Sequence, residues 1–234
     1  MSTPTSGLEE LRGSLLSEHT DTLDPDRLDV IEQELRRLAT EQVPGAVVEL
    51  GCYRGAMALW MRAVLDDSGQ RSREVHVYDS FQGLPAPGPL DPELFAPGDL
   101  RAQVEDVQAL HRSWGRGQPV IHAGWFEQTL PHQLPEKIAF AYLDGDYYNS
   151  IRISLSACVP RLTAAGALIV DDYADLGANP RAWNGLPGVK AACDDFFGSP
   201  SPVTVVLGRP EGDLAFGRYT PVPGERFPCL PPSS

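Results

Sequence analysis

The sequence predicts a doubly wound α/β sheet, mostly parallel, with an antiparallel hairpin added at the C-terminal end. Three observations carry this. Short apolar runs suited to buried strands alternate five times with helix-length segments, the rhythm of parallel strands joined by crossover helices. Two of the runs, Ile138–Leu143 and residues 166–170, are apolar throughout and read as strands covered on both faces. The rhythm ends in two strand-like runs, 203–207 and 214–219, which flank Gly208-Arg-Pro-Glu-Gly-Asp213 as a hairpin would.

The 234 residues, 42% of them hydrophobic, suit one domain with a full core. We divide it into an N-terminal cap and helix (1–44), a sheet-bearing core (45–220) and an irregular tail (221–234). The polar stretch up to about Thr22 is expected to be loose or a cap. Asp24-Pro25 supplies an N-cap and a proline at the first helical position, and Leu28, Ile31, Leu35 and Leu38 follow at helical spacing, so a helix is expected over 25–41. Gly45 opens the first strand, Ala46–Leu50. A glycine-bearing loop then leads into a helix that runs to about Leu65. The second strand, 74–78, ends at Asp79. Prolines 87, 89, 92 and 97 forbid a regular element over 86–98, a long insert of the kind that forms lids and binding loops. A helix follows over 100–113 with Val104, Val107 and Leu110 on one face, then a third strand at 120–122. Trp125 and Phe126, after Gly124, could stack on a base or join the core. In 147–160 the alternation of Ile151, Ile153 and Leu155 suggests a strand. The need for a crossover of about a dozen residues between parallel strands decides for a helix. Residues 173–188 read as irregular, 189–197 as a short helix, and the tail, with Pro223, Pro228, Pro231 and Pro232, as irregular.

Net charge is −13, which disfavours nucleic acid and anionic membranes as partners. No apolar run approaches the roughly 20 residues of a membrane span. The N-terminus has neither a basic start nor an apolar core, so no signal peptide is expected and a cytoplasmic location is. Cys52, Cys158, Cys193 and Cys229 show no CxxC spacing and read as free thiols, Cys52 as a small buried filler.

The chemistry concentrates where strands end. Asp144 and Asp146 close the run Ile138–Leu143, and Asp171 and Asp172 close the run 166–170. Open α/β sheets bind ligands beyond the carboxyl ends of their strands. If these two strands are neighbours, four carboxylates converge, and their repulsion calls for a cation or for raised pKa values. All-oxygen ligands suit a hard cation such as magnesium. Glu49-Leu-Gly-Cys-Tyr-Arg-Gly55 lets a ligand sit on a helix N-terminus. Asp79, at the end of the second strand, suits a ribose diol or, alternatively, a helix N-cap.

Four segments, taken in order, resemble the macrocin O-methyltransferase family, a branch of the Rossmann-like class I S-adenosylmethionine-dependent methyltransferases. They are Glu49–Gly55, Asp79-Ser-Phe-Gln-Gly-Leu-Pro85, Gly124-Trp-Phe-Glu-Gln-Thr-Leu-Pro131, and Leu143-Asp-Gly-Asp-Tyr-Tyr-Asn-Ser150 with Asp171-Asp-Tyr173. The resemblance covers roughly residues 45–197 and departs at Asn149-Ser150, where the family often has an acid and a threonine. It implies methylation of a sugar hydroxyl on a glycosylated natural product in antibiotic biosynthesis, with S-adenosylmethionine and Mg(2+). It further implies that Asp144, Asp171 and Asp172 hold the metal and that Asp146 is the general base. Glu49, Gly51, Tyr53, Arg54 and Gly55 would face the cofactor, with Asp79, Ser80, Gly124, Trp125 and Asp144. A small glycosylated acceptor is the expected partner, with room for a homo-oligomer. A catechol-type O-methyltransferase is the nearest alternative. A nucleotide-binding dehydrogenase lacks its glycine spacing here, and a non-catalytic binding module would leave four carboxylates unexplained.

Overall fold

The computed structural model describes residues 5–222. Five strands run parallel: β1 (Ala46–Leu50), β2 (Val75–Asp79), β3 (Val120–Ala123), β4 (Ile138–Leu143) and β5 (Leu162–Val170). Two short strands, β6 (Thr204–Val206) and β7 (Phe216–Tyr219), pair antiparallel, and β7 pairs antiparallel with β5. The order across the sheet is β3-β2-β1-β4-β5-β7-β6. The direction of winding therefore reverses between β1 and β4, the place where open sheets of this kind bind ligands.

The helices are α1 (Thr5–Glu18), α2 (Pro25–Thr40), α3 (Ala56–Asp67), α4 (Val104–Ser113), α5 (Phe126–Gln133), α6 (Tyr148–Cys158) and α7 (Pro187–Phe197). Strand alternation sorts the core into two layers. Val47, Phe140, Tyr142, Ala167 and Ile169 pack with α1, α2 and α3, whereas Val48, Leu50, Ala141, Leu143, Leu168 and Val170 pack with α6 and α7. Both faces of the central strands are thus covered, which is why β1 and β4 are buried at every position. The Trp60 indole N–H donates to the Leu28 carbonyl at 3.0 Å and ties α3 to α2.

Of the two readings of the stretch up to Thr22, loose or a cap, the described residues take the ordered one: α1 places Leu8, Leu11 and Leu15, spaced three and four apart, in the core. Its polar composition hid three leucines on one face. Residues 126–133, where the sequence left Trp125 and Phe126 open between stacking on a base and joining the core, form α5, with Pro131 inside it. Elsewhere the differences are at boundaries. β5 begins at Leu162, ahead of the apolar run, and α7 begins at Pro187, with proline in its first turn. α6 is helical despite the alternation: of its three alternating residues Ile151 and Leu155, four apart, are fully buried and Ile153 is not. The Asp24 side chain accepts from the Arg27 N–H at 2.9 Å, as the N-cap reading requires. Residues 223–234, with the irregular tail and Cys229, lie outside the described residues.

Candidate functional site

The site is built by the first residues past the strands. Backbone N–H groups continue the sheet by one position beyond its regular end: Gly124 donates to Asp79, Gly51 to Tyr78, Asp144 to Leu50 and Asp171 to Leu143, at 2.8–2.9 Å. Because β4 and β5 pair Leu143 with Val170, the next residues on each strand, Asp144 and Asp171, come side by side. Gly51 makes this edge tight. Its φ is +91°, and a Cβ there would stand 1.8 Å from the Asp144 carbonyl oxygen, so only glycine lets the two strand ends close up.

These ends open into a cavity of about 1030 Å³. Gly51, Tyr53, Asp79, Ser80, Trp125, Asp144, Asp146, Asp171 and Asp172 all line it, so most of the residues singled out in the sequence meet here. The loop 86–98 contributes Ala86, Gly88, Asp91 and Phe95, and the irregular segment before α7 contributes Trp183 and Leu186. Trp125 and Phe126 are half-buried on the cavity wall, with Trp125 as the cap residue of α5. Four of the residues singled out are not in the cavity lining: Glu49, buried within β1, and three others. Arg54 is exposed, outside the cavity lining, and lies over the Tyr53 ring 4.9 Å from its centroid. Gly55 caps α3 and packs against Val107, while Gly124 turns the chain at φ +144°. Cys52, Cys158 and Cys193 are buried thiols, and burial pushes the Cys52 thiol well up, as a filler would show.

Oxygen atoms of Asp144, Asp171 and Asp172 lie within 4.8 Å of one another, a donor set that fits a hard divalent cation. Asp171 and Asp172 are buried, 3% and 8% exposed. Asp146 and Asp172 both sit at positive φ, +58° and +56°, a conformation that ordinary residues avoid. Burial, then Asp171, raises the Asp144 and Asp172 carboxyls well above the usual carboxylate range. Burial, then Asp171 and Asp79, pushes Asp146 up to about 7.

Asp79 caps no helix. Its Oδ2 accepts from the Cys52 and Tyr53 N–H groups at 3.0 and 2.9 Å, and its Oδ1 accepts from Phe81 at 2.8 Å. It therefore holds the loop after β1 against the end of β2. Burial raises its carboxyl, although these three donors pull the other way. Glu49 is buried in β1 with Oε2 lacking any hydrogen-bond partner among the described residues, and burial, then Asp79, raises its carboxyl strongly. An unpartnered buried carboxylate oxygen beside this loop fits a ligand that carries a cation or an N–H donor. Ser80 donates to the Gly83 carbonyl and shapes the start of the insert.

Sequence reasoning missed three groups. Arg27, from the first turn of α2, reaches Asp171 and Asp172 across 144 and 145 positions. No local pattern marks such a pair. Burial works against the Arg27 charge, but Asp171, Tyr142 and Asp172 outweigh it and hold the guanidinium protonated. The buried Tyr142 hydroxyl donates to Asp171 from within β4, where an apolar run disguised it. Asp91, in the insert, accepts from the Tyr148 N–H at 2.8 Å through Oδ1 and from Gly88 at 2.9 Å through Oδ2. It pins the insert to the start of α6, next to Asp146.

The sequence profile of a family described as macrocin O-methyltransferase (TylF) matches residues 19–190. A Streptomyces olivaceus protein named 8-demethyl-8-(2,3-dimethoxy-alpha-L-rhamnosyl)-tetracenomycin-C 4'-O-methyltransferase is 36% identical over 157 residues, covering 63% of this chain and 60% of that one. Mycinamicin III 3''-O-methyltransferase of Micromonospora griseorubida is 32% identical over 158 residues, 63% of this chain and 62% of its own. The matches thus span less than two thirds of either relative's length. The solved structure of the O-methyltransferase NovP superposes with a TM-score of 0.68 at 28% identity, over 83% of this chain and 79% of that one. With the strand-end carboxylates and the glycine loop gathered at one cavity, and the profile matching well over half of the chain, this chain belongs to the macrocin O-methyltransferase family.

Proposed function

We propose that this protein is an S-adenosylmethionine- and magnesium-dependent O-methyltransferase that acts on a sugar hydroxyl of a glycosylated natural product, in the cytoplasm of an antibiotic-producing cell. The observation that carries the reading is the convergence of Asp144, Asp146, Asp171 and Asp172 at the ends of two adjacent strands in one cavity, in a chain of this family. Asp144, Asp171 and Asp172 would hold the cation, which would act as a Lewis acid and lower the pKa of the acceptor hydroxyl. Asp146 takes the proton from that hydroxyl; a carboxyl raised to about 7 is matched to a base working near neutral pH. The Glu49 carboxylate and the loop held by Asp79 receive the cofactor, with Trp125 on the wall beside it. The insert pinned by Asp91 and the segment with Trp183 border the acceptor and shield the reacting atoms from water.

The test is a methyl-transfer screen with labelled S-adenosylmethionine. Each glycosylated compound is run beside its sugar-free aglycone and a set of catechols. The reading expects label on the sugar of at least one glycoside and none on the aglycones. Label on catechols alone would replace it with the catechol-type reaction.

A further inference from the structure

Asp171 has no lone pair left for a metal. A carboxylate offers about four acceptor positions. On Oδ2 they are taken by Arg27 Nε at 3.0 Å and the Tyr142 hydroxyl, and on Oδ1 by Arg27 Nη2 at 3.1 Å and the Asp172 backbone N–H at 2.8 Å. Arg27 Nη2 also reaches Asp172 Oδ1 at 3.3 Å. The guanidinium thus bridges two of the three carboxylates whose oxygens cluster.

For an ion to bind Asp171, one of these donors must leave. The Tyr142 ring is buried within β4, and the Asp172 N–H is backbone fixed at the end of β5. Arg27 is different. It sits in the first turn of α2, its side chain keeps some exposure, and its Nη1 already pairs with Asp24, a half-exposed cap residue that also lines the cavity. That pair gives the guanidinium a second anchor to retreat to.

On the reading that the acid cluster takes a divalent ion, we propose that Arg27 is a built-in cation that competes with the ion for Asp171 and Asp172 and withdraws towards Asp24 when the ion binds. Arg27 is then a positioning residue. It keeps the carboxylates paired while no ion is present, and it sets how much ion the site needs. The sign of one measurement separates this from plain support of the ligands. Residues that buttress metal ligands typically weaken metal binding about 10–100-fold when removed. A competitor does the reverse. It both vacates an acceptor position and removes a like charge from beside the ion.

The experiment measures Mn²⁺ binding to the full chain, from the electron paramagnetic resonance of free Mn²⁺, for wild type, Arg27→Gln, Arg27→Lys and Asp171→Asn. The inference expects Arg27→Gln to bind Mn²⁺ roughly tenfold more tightly than wild type, the scale of removing one nearby positive charge. Arg27→Lys, which keeps the charge but loses the two-pronged grip, should show a smaller gain of the same sign. Should Arg27→Gln fail to fold, Arg27→Lys alone carries the test. Binding that is present in wild type and lost in Asp171→Asn, yet unchanged or weaker in the Arg27 variants, overturns the inference and leaves the metal site standing. No Mn²⁺ binding in wild type or in either Arg27 variant overturns both.

Discussion

At the scale of single residues, the four carboxylates divide by their surroundings. Asp144, Asp171 and Asp172 share one cluster, whereas Asp146, two positions on and at positive φ, stands apart from it. Asp146→Asn should therefore retain Mn²⁺ binding while turnover falls about 10²–10⁴-fold, the usual worth of a general base. Asp144→Asn should lose metal binding as well as activity. Normal turnover in Asp146→Asn would remove it from the chemistry. The raised carboxyl of Asp146 also makes a statement about stability. Its folded value of about 7 lies above the roughly 3.9 of an unfolded chain, so between those values the fold holds a proton that the unfolded chain has released. Its contribution is fully present below about pH 4 and is lost as pH rises through about 7. Measured without metal, wild type should therefore lose stability relative to Asp146→Asn as pH increases across that window, because asparagine does not titrate. A pH-independent difference between the two would contradict the assignment.

At the scale of elements, the strand ends were legible and the contacts between distant elements were not. The runs Ile138–Leu143 and 166–170 announce buried strands, and each stops in aspartates, so the placement of Asp144 and Asp171 followed once parallel neighbours were assumed. α2 was legible from its Asp24-Pro25 start and its leucine and isoleucine spacing. α1 was hidden because its apolar face is only three leucines within a polar composition, and α5 because a proline falls inside it. Arg27, Tyr142 and Asp91 were invisible for one reason. Their partners are set by how elements pack, and no local spacing encodes that. Gly51 and Asp91 test this level. Gly51→Ala forces a Cβ against the Asp144 carbonyl at an unfavourable φ. It should cost about 1–3 kcal/mol in urea unfolding, and an unchanged midpoint would mean that the strand ends are looser than the geometry states. Asp91→Ala removes the acceptor that ties the insert to the Tyr148 N–H of α6 and the one that closes the turn at Gly88 within the insert. Amide hydrogens over 86–98 should exchange faster and the KM for the acceptor should rise, while cofactor affinity stays put. Equal exchange in the variant would show that other contacts hold the insert.

At the scale of the whole molecule, the sheet order decides where chemistry can happen. Winding reverses between β1 and β4, so the glycine loop after β1, the acid after β2 and the carboxylates after β4 and β5 all face one cavity. The net charge of −13 adds to the pull on a cation and works against polyanionic partners. No helix among the described residues is long and apolar enough to cross a membrane. The central claim is that the strand-end carboxylates work through a divalent ion on an acceptor hydroxyl. It is tested most directly by following transfer of a labelled methyl group from S-adenosylmethionine to a glycoside before chelation, after exhaustive chelation, and after magnesium is returned. The account predicts transfer, then its loss, then its recovery in wild type, with no recovery in Asp144→Asn. Full transfer by protein shown to contain no metal would contradict it.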